Sequence, residues 1–404
     1  MTFKLNPPNR AEHLGSLLRP EDLLKARTRF DKKEITPEQL KEIEDKAIID
    51  AVNMQKEVGL KTISDGEYRR HMFFDGFFEH LEGFTYIEDP PRDIFKVCLI
   101  NWKYVPDIAA FLAEDTKPAA TTLCTGKIKH VKSGYLPQFN ELKKLVKPEE
   151  VKNLKFTLAA PEWYHLRHGE NAYDKSVYAN SEEYFNDIAA AYRTELEILY
   201  DAGCRNVQID DPLLAYFCAQ PMLDGMEAVG EDPDALLDSY IRLYNNCLRD
   251  RETGLPELTV GLHLCRGNFR HSIHFSEGGY DHIAVKLFNE TNVDVYYLEY
   301  DTERAGSFEP LKHVPKHKTV VLGLITSKFP DLEDLEELKQ RVYSAAEIMA
   351  QGNAESKEEA LSRICVSPQC GFASHSEGNL LSAEDMKKKL GLVVSLAESI
   401  WGTS

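Results

Sequence analysis

Short apolar runs alternate with long amphipathic stretches along the whole chain. The runs begin AEHLGS at Ala11, LKTISDGE at Leu60, LKFTLAAPEW at Leu154 and CRNVQIDDP at Cys204. LTVGLHLC at Leu258, VDVYYLEYD at Val293, KTVVLGLITS at Lys318 and RICVSPQCGF at Arg363 complete the set. Most of them carry β-branched or aromatic residues, which suits a buried strand. Between them, helical periodicity covers Thr36 to Glu57, Ser181 to Ala202, Pro233 to Arg251 and Leu335 to Gln351. TPEQ offers a Thr cap and a Pro in the first turn of the first helix. Gly203 stops the second.

Strands that alternate with helices predict a parallel sheet. Eight such units in 404 residues favour an α/β fold of the (β/α)8 TIM-barrel type over an open, doubly wound sheet. The strands also end alike, in polar residues: Ser16; Asp65 and Glu67; Glu162 and Trp163; Asp210 and Asp211; His263 and Cys265; Glu299; Thr326 and Ser327; Cys370. Barrel active sites sit at those C-terminal ends. The stretch from about 84 to 153 is too long for a simple connection. It reads as a β-containing insertion, with a helix, after the second strand. The expectation is one barrel domain over residues 1–404 carrying that insertion.

Composition narrows the function. The chain is 43% hydrophobic with a formal net charge of −18, so nucleic acid and anionic membrane surfaces are poor partners. No apolar run approaches a membrane span, and MTFKLNPPNR lacks the apolar core of a secretory signal. Eight scattered cysteines suggest a reducing, cytoplasmic setting. Oligomeric state is open, a homo-oligomer included.

His263 and Cys265 stand two residues apart on one strand, so imidazole and thiol share a face. Cys370 ends another strand in SPQCGF, and Glu299 interrupts the apolar YYLEYD. Two readings stand. Four ligands from three strand ends can converge on one Zn2+. Alternatively the thiols are inert core residues and the histidine is hydrogen-bonded scaffold.

Six stretches resemble one family. GLHLCRGN, LEYDTERAGSFEPL and VSPQCGF, in this order, are similar to the zinc-binding motifs of the catalytic barrel of cobalamin-independent methionine synthase. EHLGS resembles its opening Gly-Ser motif, ISDGEYRR its acidic substrate loop and VQIDDP its Asp-Glu-Pro motif. The superfamily also holds archaeal single-barrel methyltransferases and the epoxyalkane:coenzyme M transferase. The resemblance implies that His263, Cys265, Glu299 and Cys370 bind Zn2+. It implies that Glu67 and Asp210, with Asp211 alongside, hold the ammonium of a homocysteine-like thiol, and that Ser16 meets its carboxylate. Structural alternatives are a helix-terminal acid at Glu67, turn carboxylates at Asp210 and Asp211, and a cap at Ser16.

The chemistry implied is methyl transfer to sulfur. A thiol is mostly protonated at neutral pH, the thiolate is the nucleophile, and zinc coordination deprotonates it. Glu299 is the ligand expected to yield when the thiol arrives, and hence a catalytic candidate. His271 and His274 in FRHSIHF are read as proton donors or substrate contacts, with His271 the catalytic candidate, against plain surface histidines. Trp163 stacks on a flat methyl donor or lines the mouth. Arg69 and Arg70 meet an anionic donor tail or are solvated. The family's proton-donating histidine on the seventh strand aligns near Thr326, where this chain has none. Folate and a methylated corrinoid therefore both remain as donors. The rival functions are a thiol-adding lyase of the coenzyme M type, a non-catalytic zinc barrel, and a metal-free decarboxylase-like barrel.

Overall fold

The structure, a computed structural model, describes residues 9–96, 120–268 and 272–403. His271 lies outside them. Two strands form an antiparallel ribbon, β1 (Leu81–Ile87) and β2 (Thr121–His130). Six more, β3 (Lys155–Ala159), β4 (Asn206–Asp210), β5 (Thr259–Leu264), β6 (Val295–Glu299), β7 (Thr319–Ile325) and β8 (Ile364–Pro368), form one parallel sheet in sequential order. Every residue of these six is buried, as expected where helices cover a parallel sheet.

The first two expected strands pair more sparsely. Ala11 bridges Val366 of β8, and Ile63 bridges Leu154 just before β3. Between these two segments the ladder is replaced by single contacts. Leu17 N donates to Gly66 O at 3.1 Å, and Ser64 Oγ donates to Gly15 O at 2.7 Å. Gly15 and Gly66 both have positive φ, so neither segment keeps the extended geometry a regular ladder needs. The result is an α/β barrel with an irregular seam between its first and second segments.

Helix limits follow local chemistry. Thr36 caps the helix Pro37–Glu57 through a reciprocal bond with Gln39. The helix Ser181–Asp201 runs out at Gly203, and Leu335–Asn353 follows β7. The third expected helix is shorter than its periodicity suggests. It covers Pro233–Cys247 and breaks at Asp250, which adopts φ +62° before a separate turn, Arg251–Gly254. The ribbon and the helix Leu136–Lys143 follow the second barrel segment, as the sequence pattern implied.

The barrel interior is not wholly apolar. Glu12 and Lys155, both fully buried, form an ion pair. Lys155 also donates to His13 O at 2.6 Å and lies 4.2 Å from the Tyr297 ring centre. Charges this deep persist only when paired and hydrogen-bonded.

Candidate metal centre

β5 delivers His263 and, one step past its end, Cys265; β6 ends on Glu299; the turn after β8 carries Cys370. Ligand atoms of these four buried residues all lie within 4.8 Å of one another. The two sulfurs are 3.3 Å apart. His263 Nδ1 is 3.2 Å from Tyr297 O, while its Nε2 is buried with no hydrogen-bond partner. A ring nitrogen fixed from behind with the other pointing into a sulfur-rich cluster is how a metal-binding imidazole is held.

Glu299 is gripped on both oxygens. Arg266 N donates to Oε1 at 2.9 Å and Arg304 Nη2 to Oε2 at 2.9 Å. Burial opposes its charge, but Arg304 and then His263 outweigh burial and lower its pKa. Burial likewise opposes charge on His263, yet Asp210 and the neighbouring Cys370 raise the ring to about 9. The sulfurs share a proton unequally. The Cys265 hydrogen bond holds Cys370 down to about 5, and Cys265 itself is pushed well up by that bond and by burial. The cluster thus binds protons where a cation would sit.

The residues assigned to substrate fall around it. Asp210, the last residue of β4, is the register partner of His263, and its Oδ1 lies 3.8 Å from His263 Nε2 with no hydrogen bond. Glu67 holds a positive φ of 61°, an uncommon geometry for a side-chain-bearing residue. Thr157 Oγ1 donates to its Oε1 at 2.6 Å, and Oε2 has no hydrogen-bond partner. Burial raises both carboxyls, with Arg70 countering at Glu67 and His263 at Asp210. Ser16 packs on Gly371: a Cβ there would sit 1.9 Å from Ser16 Oγ, so only glycine lets the Cys370 turn approach.

Other residues sit differently from expectation. Asp211 takes the turn role: its Oδ1 accepts from Leu213 N at 2.7 Å and Leu214 N at 3.0 Å, and its Oδ2 from Tyr244 OH at 2.6 Å. With that many donors it has little left for a substrate. Trp163 lines a cavity of about 670 Å3 that reaches Cys265, but its ring already stacks on Phe74 at 4.4 Å. Neither arginine of the RR pair is solvated. Arg69 pairs with Glu44 and Asp45, and Arg70 donates to Thr157 O at 2.8 Å. His274 pairs with Glu277 at 2.7 Å. The sequence reading missed Arg304, although it stands within LEYDTERAGSF, five residues past the acid it holds.

An α/β barrel with two sulfurs, an imidazole and a carboxylate gathered at its C-terminal strand ends defines a class of barrel with a candidate thiol-chemistry centre. The family model described as "Cobalamin-independent synthase, Catalytic domain" matches residues 174–398, and the chain belongs to that family. The uncharacterized protein YxjH of Bacillus subtilis is 36% identical over 98% of this chain and 95% of its own length. A crystal structure from Listeria monocytogenes, provisionally named a vitamin-B12 independent methionine synthase, is 31% identical with a TM-score of 0.70, covering 97% of this chain and 98% of that one. The 5-methyltetrahydropteroyltriglutamate–homocysteine methyltransferase of Bacillus velezensis is 22% identical; the match covers 92% of this chain and 41% of that protein. Among the described residues, no helix is long and apolar enough to cross a membrane.

Proposed function

We propose that the chain is a zinc-dependent methyltransferase that moves a methyl group onto the sulfur of a homocysteine-like thiol. The observation that carries this reading is the four-residue cluster of His263, Cys265, Glu299 and Cys370. Two thiolates, an imidazole and a carboxylate suit zinc, and the buried, unpartnered Nε2 of His263 fits a ligand position. Bound zinc supplies a Lewis acid that keeps a coordinated thiol ionised near neutral pH.

The protein's own residues do the rest. Glu67 and Asp210 each leave one buried carboxylate oxygen without a donor, and a substrate ammonium supplies donors to both. Ser16 stands beside the Cys370 turn, where a carboxylate on the same substrate would meet its hydroxyl. The paired acids favour an amino-acid thiol over a sulfonate thiol such as coenzyme M. Glu299 would be the ligand to give way to an entering thiol, since Arg266 N and Arg304 already hold its two oxygens. The adjoining cavity, walled by Phe73, Phe74 and Trp163, is the side from which the methyl donor, a folate or a methylated corrinoid, would approach the cluster. The seven described cysteines are free thiols, in keeping with work in a reducing cytoplasm.

The test is methyl transfer by zinc-loaded protein to homocysteine and to coenzyme M from a panel of donors. X-ray absorption at the zinc edge is recorded with and without homocysteine. Transfer to homocysteine, with a sulfur replacing an oxygen in the first shell, is expected. A protein that binds no zinc, or whose zinc shell ignores the thiol, rules the reading out.

A further inference from the structure

If the methyl donor is a tertiary amine, its nitrogen keeps the electron pair of the broken C–N bond and needs a proton to leave. Thr326, at the end of the seventh barrel strand, cannot provide one. Its amide is spent on Glu333 at 2.7 Å, and its hydroxyl oxygen accepts from Lys328 N at 3.2 Å.

Three histidines, among the described residues, line the cavity beside the cluster: His71, His80 and His375. Burial, then Arg27, lowers the pKa of His71; burial, then Lys132, lowers that of His80. Neither is a ready store of protons. His375 is held differently. Its Nδ1 is 2.9 Å from Glu377 Oε2, and that bond is the main cause holding the Glu377 carboxyl down to about 2. A carboxylate on one ring nitrogen fixes the orientation of the ring.

The position of His375 is also built. It lies five residues past Cys370, on the segment leaving the cluster, and its neighbour Ser374 brings Oγ to 3.9 Å from Cys370 Sγ. The buried Arg19 donates to His375 O at 3.0 Å and Ala373 O at 3.1 Å, and with its other nitrogen to Glu67 O at 3.2 Å and Arg70 O at 3.0 Å. One guanidinium therefore ties the His375 segment to the segment of Glu67. Phe73 N, donating to Ser374 O at 3.1 Å, adds a second tie. The other charged side chains lining this cavity are Asp31, Arg69, Arg70, Asp75, Glu79 and Arg167.

We propose that His375, oriented by Glu377, is the acid that protonates the leaving nitrogen of an amine methyl donor. The inference rests on the methyltransferase reading above. The new S–C bond takes its pair from the sulfur, and the C–N pair stays on the donor nitrogen. That nitrogen takes the Nε2 proton of the imidazolium. The neutral ring then recovers a proton equivalent to the one the thiol released. His375 is the catalytic residue here, and Glu377 a positioning residue.

The test compares two donors on the zinc-loaded full chain with homocysteine as acceptor. 5-Methyltetrahydrofolate leaves as an amine that must be protonated. S-Methylmethionine, a sulfonium, leaves as a neutral thioether that needs no proton. His375→Gln is expected to lower the amine-to-sulfonium rate ratio by about 100-fold, and Glu377→Gln by about 10-fold. Zinc content and unfolding midpoint are read on every variant. Glu377 is half-exposed, so its variant decides the matter should the His375 variant lose zinc or fold. An unmoved ratio, or equal losses with both donors, overturns the assignment. Should the unsubstituted protein use only the amine, imidazole is expected to restore rate to His375→Ala, and failure to do so overturns it; use of the sulfonium alone does the same. Transfer from neither donor defeats the methyltransferase reading itself, and this inference with it.

Discussion

Asp210 and His263 are register partners on neighbouring parallel strands, and their side chains meet at the strand ends with Oδ1 3.8 Å from Nε2. A carboxylate proposed to hold substrate therefore borders an imidazole proposed to hold metal. A thiol whose ammonium met Asp210 would stand next to the proposed metal position.

That adjacency separates two roles by mutation. Asp210→Asn keeps the shape and removes the charge. It is expected to retain zinc while raising the KM for homocysteine by one to two orders of magnitude, since a charge-assisted hydrogen bond contributes about 1.5–3 kcal/mol. Loss of zinc in this variant would show that Asp210 serves the metal instead.

Arg304 is predicted to tune the metal through Glu299. Its Nη2 bonds both Glu299 and Asp301. Replacement by Met removes the cation that lowers the Glu299 pKa, so Glu299 takes up protons more readily while becoming a freer ligand. Supporting residues of this kind typically change metal affinity 10- to 100-fold. Competition with a chelator measures the zinc affinity of Arg304→Met, and an affinity equal to that of the unsubstituted protein contradicts the prediction.

Zinc uptake should release protons and weaken in acid. In the metal-free cluster His263 is held up to about 9, Cys265 is pushed higher still, and Cys370 is held down to about 5. Near neutral pH a cation therefore displaces about two protons, one from His263 and one from Cys265. The logarithm of affinity should climb by about two per pH unit between roughly pH 6 and 8, and less steeply above about 9. Calorimetry in buffers of different protonation enthalpy counts the protons. A count of zero would mean that the ligands are already ionised without metal.

The buried Glu12–Lys155 pair gives a prediction about stability alone. Lys155→Met leaves Glu12 charged and unpaired inside the barrel, which costs about 3–5 kcal/mol. The double variant with Glu12→Leu should recover most of that loss, because an apolar pair of similar volume avoids the desolvation of both charges. Urea unfolding of the two variants settles this, and a double variant no better than the single contradicts it.

Much of this was legible in order along the chain. Periodicity marks the six inner strands, and TPEQ and Gly203 mark helix ends, because caps and apolar runs act over a few residues. The ladders of the first and second segments were not legible, since their glycines turn the backbone and side chains replace the sheet bonds. Nor could the sequence separate Asp210 from Asp211. Neighbouring strand residues face opposite ways, so one opens toward His263 and the other is bonded into the following turn.

Arg19, Arg304, the Glu12–Lys155 pair and the His375–Glu377 pair were silent for a related reason. Each gains its meaning from a partner, or from a cavity, that only the folded barrel brings near. The order of strands and helices, their apolar faces, and the residue types placed at each strand end can be read along the chain. Which of those end residues share one point emerges only on folding. That outcome depends on strand register and on turns such as Gly371, and both are set by packing between elements far apart in the chain.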